Sequence, residues 1–153
     1  MIFDGVINTF VKRFSLSKRT ARYRIGQPGK KPKFYNKRAM KWLNKICLDG
    51  NAEIVVTSTW RIRRSVTELA EILYRSGLDK RICVVGRTDR FGRRDAEIKL
   101  WLREHMGVGR FVVLDDDIFD LTEVADHLVL VDTYNGLDER CYREAMEIMK
   151  KIF

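Results

Sequence analysis

Five short apolar runs are spaced along the chain, and none shows the regular polar alternation of a half-exposed strand. The runs are residues 1–3, 53–57, 82–85, 111–114 and 128–131. The last four are rich in valine, isoleucine and leucine, which suits strands that are buried on both faces of a sheet. We therefore predict a central sheet of about five strands.

Between these runs, apolar residues recur at helical spacing. Asn36 and Asp138 are suited to cap the first and last of four predicted helices. The apolar faces of the four helices are, in chain order, Met40, Leu43, Ile46 and Cys47; Val66, Leu69, Ile72 and Leu73; Ile98, Trp101, Leu102 and His105; and Cys141, Ala145, Ile148 and Met149. Strands that alternate with helices predict an α/β fold with a parallel, doubly wound sheet, whose ligands bind at the carboxyl ends of the strands.

Length and composition predict one soluble domain over residues 1–153. Apolar residues make up 45% of the chain, yet no run of about 18 apolar residues occurs, so we expect no membrane span. Three cysteines lie far apart among apolar neighbours, which favours buried thiols in a reducing compartment. The start lacks the pattern of a secretion signal, and we therefore expect a cytoplasmic protein.

The positive charge is concentrated in the first third of the chain. The net charge is +9, and residues 5–48 contain 13 lysines and arginines but no acid. Prolines and glycines between residues 26 and 32 predict a loop, so residues 10–34 form a small basic insert after the first strand. We predict that this insert binds a polyanion such as nucleic acid, although general solubility would also account for its charge. The proposed contacts are Lys18, Arg19, Arg22, Arg24, Lys30, Lys31 and Lys33.

Polar side chains follow two of the buried runs. Thr57 ends the run at residues 53–57, where its hydroxyl and the following backbone N–H groups are suited to bind phosphate or, alternatively, to cap a helix. Asp115, Asp116 and Asp117 follow the run at residues 111–114. Carboxylates crowded at one strand end repel each other unless a cation lies among them. This pattern favours a metal site over a solvated acidic turn.

Four segments together resemble the haloacid-dehalogenase (HAD) phosphohydrolases. They are Asp4-Gly5-Val6-Ile7, Thr57-Ser58-Thr59-Trp60-Arg61, the stretch from Arg94 to Leu102, and Leu114-Asp115-Asp116-Asp117. The Ser-Thr-Trp-Arg tail is most similar to the small HAD domains of Swiss Army knife RNA-repair proteins. The resemblance implies a HAD-like Rossmannoid fold with the basic insert as its cap.

The resemblance also implies a catalytic set and a cofactor. Asp4 would be the acid/base, and its backbone carbonyl would face a Mg²⁺ ion that Asp115 and Asp116 also bind. The phosphoryl oxygens would be held by Thr57, Ser58 and Arg94, with Arg93 as an alternative to Arg94. Catalysis is therefore expected from Asp4, Thr57 and Arg94.

The position of the HAD nucleophile is occupied by Ile2, and an aliphatic side chain cannot attack phosphorus. One hypothesis is a Mg²⁺-dependent phosphohydrolase or phosphotransferase, impaired in catalysis, that acts on phosphorylated small molecules, nucleotides or nucleic-acid ends. In that case Asp4 or an activated water would attack. The alternative is a degenerate HAD domain whose basic N-terminal third binds nucleic acid or an acidic protein partner.

Overall fold

The computed structural model describes residues 36–151, in which helices and parallel strands alternate along the chain. The α-helices of this part are α1 (Lys37–Asp49), α2 (Val66–Arg75), α3 (Arg94–Glu104) and α4 (Glu139–Lys150). The strands are β1 (Ile54–Val56), β2 (Val84–Arg87), β3 (Val113–Asp115) and β4 (Leu128–Leu130), and short 3-10 helices cover Thr59–Arg61 and Thr122–His127. The predicted α/β class is confirmed. The opening strand at residues 1–3 and the basic insert at about 10–34 lie outside the described residues.

The strands form two parallel pairs. In the first, Ile54 of β1 lies opposite Val84 of β2, and in the second, Val113 of β3 lies opposite Leu128 of β4. Within residues 36–151, no strand joins the two pairs into one sheet. The central sheet of about five strands therefore stays a prediction. The pairs are nevertheless parallel, as the alternation of strands with helices predicts.

Side-chain capping explains where three of the helices begin. The Asn36 side chain accepts hydrogen bonds from the backbone N–H groups of Arg38 and Ala39, at 3.0 and 3.2 Å. Asp138 caps α4 in the same way, and Ser65 and Glu68 form a capping box at the start of α2. Both predicted caps are therefore confirmed.

None of the helices in residues 36–151 is long and apolar enough to cross a membrane.

The main core is formed by both strand pairs together with helices α1, α2 and α4. Ile54 and Val56 of β1 are at most 1% exposed and belong to the same buried cluster as residues of these helices. The opposite strand face is less well covered, because Val85 is 43% exposed. Val55, Val85 and Val113 line a cavity of about 480 Å³ beside α3. The expectation of strands buried on both faces is thus only partly met.

Leu130 of β4 is also 45% exposed, and two further side chains depart from the predicted burial. Cys83 is exposed because β2 begins one residue later, at Val84, and successive side chains of extended chain point to opposite sides. His105 does not extend the apolar face of α3. It lies at the end of that helix, exposed, with its ring stacked 3.9 Å from that of Trp101.

The carboxyl ends of the strands carry the polar residues. Thr57 comes directly after β1, Thr88 comes directly after β2, and Asp115 ends β3. The backbone N–H of Thr88 donates to the carbonyl of Val56 at 3.0 Å, so the two threonines lie at neighbouring strand ends. Helix α3 begins next to these ends, at Arg94. These elements bring the predicted site residues of this part of the chain to one region.

Candidate active site

Thr57, directly after β1, is a buried polar residue at the strand ends. It is only 2% exposed, and its Oγ1 atom has no hydrogen-bond partner in the part of the chain that the structure describes. A buried hydroxyl without a partner costs about 1–3 kcal/mol. The side chain of the next residue, Ser58, instead accepts a hydrogen bond from the N–H of Trp60 at 3.0 Å and begins a 3-10 helix. Capping is therefore performed by Ser58 and not by Thr57.

A buried ion pair holds the segment that follows β1. Arg61 Nη2 donates to Glu97 Oε2 at 2.5 Å, and both side chains are at most 6% exposed. Arg61 Nη1 donates to the carbonyls of Thr57 and Ser58. Burial lowers the pKa of the Arg61 guanidinium, and the Glu97 carboxylate opposes that effect. The pair therefore fixes the backbone that presents Thr57.

Glu97 extends this support to the loop before α3. Its other oxygen, Oε1, accepts hydrogen bonds from the N–H groups of Phe91 and Gly92, at 2.9 and 3.2 Å. No role is predicted for Glu97 from the sequence, and Arg61 is predicted only as part of a family-like motif. The two residues are 36 positions apart, and nothing in their local patterns predicts that they pair.

Arg94 and Asp115 meet at the end of β3. Arg94 Nη1 donates to Asp115 Oδ2, while Asp115 Oδ1 accepts from the backbone N–H of Asp117 at 2.9 Å. Asp115 is fully buried. Burial raises the pKa of its carboxyl group to about 6, although the nearby Arg94 charge acts in the opposite direction. A guanidinium and a desolvated carboxylate thus lie at the edge where the predicted ligand would bind.

Arg93, the alternative to Arg94, has a different environment. Its guanidinium bonds the Asp95 carboxylate at 2.9 and 3.2 Å and Thr122 Oγ1 at 2.9 Å. These contacts tie the start of α3 to the 3-10 helix Thr122–His127. The two adjacent arginines therefore have separate partners, and of the two, Arg94 bonds the carboxylate at the end of β3.

The residues present are chemically suited to a hard divalent cation. Asp115 and its half-buried neighbour Asp116 supply carboxylate oxygens, which Mg²⁺ prefers. Asp115 is fully buried, and burial raises the pKa of its carboxyl group, so a bound cation would stabilise its charged form. Within residues 36–151, no group of three or more acidic, histidine or cysteine side chains is arranged to hold a metal. The predicted third ligand, Asp4, lies outside the described residues.

Ile2, at the nucleophile position, and the predicted nucleic-acid contacts lie in the same undescribed segment. These contacts are the basic residues Lys18, Arg19, Arg22, Arg24, Lys30, Lys31 and Lys33. The described part of the predicted site thus comprises Thr57, Ser58, Arg94, Asp115 and Asp116. Arg61 and Glu97 hold the segment that carries Thr57 and Ser58.

Comparison with known proteins gives one match. A family model described as the HAD domain in Swiss Army Knife RNA repair proteins matches residues 3–141. The comparisons with curated proteins and with solved structures found no significant match. The family match extends over nearly the whole chain and includes each of the four motif segments. The chain therefore belongs to the family of HAD domains found in Swiss Army Knife RNA repair proteins.

Proposed function

We propose that this domain is a Mg²⁺-dependent phosphohydrolase or phosphotransferase that acts on phosphate groups of nucleotides or nucleic-acid ends. The observation that carries the proposal is the buried Thr57 hydroxyl, which has no partner within residues 36–151. It lies after β1, on the segment that Arg61 and Glu97 fix in place. The match to a family of HAD domains from RNA-repair proteins supports nucleic acid as the class of substrate.

Each residue has a distinct role in this proposal. The Thr57 hydroxyl donates a hydrogen bond to a phosphoryl oxygen, and the Arg94 guanidinium binds the same group through charge-assisted hydrogen bonds. Asp115 and Asp116, together with Asp4, would hold Mg²⁺, which offsets repulsion between the attacking and phosphoryl oxygens. Asp4 gives a proton to the leaving oxygen.

Because Ile2 is aliphatic, no carboxylate is available at the nucleophile position for covalent attack on phosphorus. The attacking group in this proposal is a water, with Asp4 as the acid, or Asp4 itself, in which case a water rather than Asp4 gives the proton to the leaving oxygen. Since loss of a covalent nucleophile usually lowers the rate by several orders of magnitude, we expect slow turnover.

We also propose that the two parallel strand pairs belong to one central sheet of about five strands, as the five apolar runs of the sequence predict.

A second candidate function rests on the charge distribution. Residues 5–48 contain 13 basic residues and no acidic one. A degenerate domain that binds nucleic acid through this segment would show an affinity that falls steeply with salt concentration and would release no phosphate. A domain that binds an acidic protein partner would form a defined protein complex without that affinity.

A test of the proposed function compares Thr57→Val with the wild-type protein in phosphate release from nucleotides and from 5′- and 3′-phosphorylated RNA oligonucleotides. We expect release in Mg²⁺ that EDTA abolishes, and a loss of about 10- to 100-fold in the variant, since a hydrogen bond to a charged group contributes about 1.5–3 kcal/mol. The free energy of unfolding should stay the same or rise, because a buried hydroxyl without a partner is removed.

The matched control is Thr67→Val, which makes the same change at an exposed position of α2. It should leave phosphate release unchanged. Absence of release from every substrate in Mg²⁺ would rule out the hydrolase proposal. A large loss of stability in Thr57→Val would show instead that the hydroxyl is structural.

A further inference from the structure

Thr88 shares the unusual features of Thr57 at the end of the neighbouring strand. It is 1% exposed, and its Oγ1 atom also has no hydrogen-bond partner in the region that the structure describes. Its backbone N–H bonds the Val56 carbonyl, directly before Thr57. Both threonines line the same cavity. Two adjacent strand ends therefore each carry a buried hydroxyl without a partner. A phosphate bound at Thr57 accounts for the Thr57 hydroxyl but not for the Thr88 hydroxyl.

Two arginines lie close to Thr88 in the sequence, Arg87 before it and Arg90 after it. Arg87 Nη1 lies 3.7 Å from the exposed Asp89 carboxylate, a long ion pair. Arg90 makes no ion pair with any residue in the range 36–151. Arg87, Arg90 and Arg94 also act on the buried Arg61 guanidinium, whose pKa their like charges lower. Like charges near one another are unfavourable in the isolated protein and become favourable once an anion binds.

The loop that carries these residues is held in place. Glu97 accepts hydrogen bonds from the N–H groups of Phe91 and Gly92, immediately after Arg90. The Phe91 side chain is 59% exposed. A basic loop with an exposed aromatic ring is suited to a nucleotide, because the arginines bind its phosphate and the ring stacks on its base.

We propose that Arg87, Thr88 and Arg90 form a subsite for a second phosphate, next to the phosphate held by Thr57 and Arg94. The inference rests on the proposed function and refines its substrate. A terminal phosphate would bind at Thr57 and Arg94, and the adjacent phosphodiester would bind at the second subsite, with the neighbouring base on Phe91. The substrate is then the phosphorylated end of an oligonucleotide rather than a mononucleotide.

Equilibrium binding tests this inference without requiring turnover. Three RNA ligands compete in Mg²⁺ for a fluorescently labelled RNA tetranucleotide that carries a terminal phosphate, in separate 5′- and 3′-phosphate series. They are a nucleoside monophosphate, a dinucleotide without a terminal phosphate, and the same dinucleotide with one. The inference predicts that the phosphorylated dinucleotide binds at least about tenfold more tightly than the monophosphate, since one added charge-assisted contact has about that effect.

Variants of the subsite residues test whether the tighter binding of the phosphorylated dinucleotide depends on the subsite. Arg90→Ala, Arg87→Ala and Thr88→Val should each reduce it to a few-fold or less while leaving the affinity for the monophosphate unchanged. Arg103→Ala, which removes an exposed arginine from α3, should leave it intact.

The inference is overturned if the dinucleotide binds no better than the monophosphate, if none of the ligands competes, or if the advantage survives all three subsite variants. Mg²⁺-dependent phosphate release is measured separately. Release without a dinucleotide advantage would leave the proposed function standing and remove only the second subsite.

Discussion

Replacement of Glu97 by glutamine should lower the free energy of unfolding by about 3–5 kcal/mol, the range found when one member of a buried ion pair is removed. The variant leaves the Arg61 guanidinium without a counter-charge in a site where its side chain is 6% exposed. It also weakens the hydrogen bonds that Phe91 and Gly92 donate to the carboxylate. Chemical denaturation of the metal-free protein measures the difference.

The chain offers a matched control at the surface. Glu123 pairs with Lys99 at 2.7 Å, but these side chains are 56% and 50% exposed. Glu123→Gln should therefore change the free energy of unfolding by less than about 1 kcal/mol. Equal effects of the two substitutions would mean that the Arg61–Glu97 pair does not support the segment carrying Thr57.

Replacement of Arg94 by lysine should reduce phosphate release by about 100-fold or more, the usual cost of losing an oriented electrostatic contact in an active site. Lysine keeps the positive charge but lacks the planar fork that binds two phosphoryl oxygens at once. Arg94 is the first residue of α3 and bonds the buried Asp115 carboxylate. The measurement is kcat/KM for a phosphorylated oligonucleotide in Mg²⁺, with unfolding curves to show that both proteins are folded.

The adjacent arginine provides the control. Arg93→Lys changes a side chain that bonds Asp95 and Thr122. It should leave kcat/KM within a few-fold of the wild-type value and should affect mainly stability. A larger loss in Arg93→Lys than in Arg94→Lys would place the phosphate at Arg93 and contradict the proposed site.

The helices and the class of the fold were predictable because their signals are local. Asn36 and Asp138 each precede an apolar helical repeat, and both cap a helix in the structure. Strand positions followed from short β-branched runs. Strand lengths could not be predicted from these runs, because hydrogen bonds to a neighbouring strand decide where a strand ends. Each of the four described strands contains only three or four residues.

The supporting contacts of the site could not be predicted from local patterns. Arg61 and Glu97 pair across 36 residues, and such a pair forms only once the loop after β1 packs on α3. Likewise, the choice between Arg93 and Arg94 depends on where α3 begins. Arg93 is the extended residue before the helix and Arg94 is its first helical residue. Their side chains therefore leave the backbone in different directions, although they are neighbours in the sequence.

Whether the strand ends bind phosphate together is tested most directly by nuclear magnetic resonance of the labelled protein. A dinucleotide with a terminal phosphate is added in Mg²⁺, and backbone amide shifts are followed residue by residue. We expect the largest changes at Ser58, Thr59, Asp116 and Asp117, and unchanged amides along α4. Shifts confined to α4, or no shift at Ser58 and Asp116 at saturating ligand, would contradict a phosphate site formed by the ends of β1 and β3.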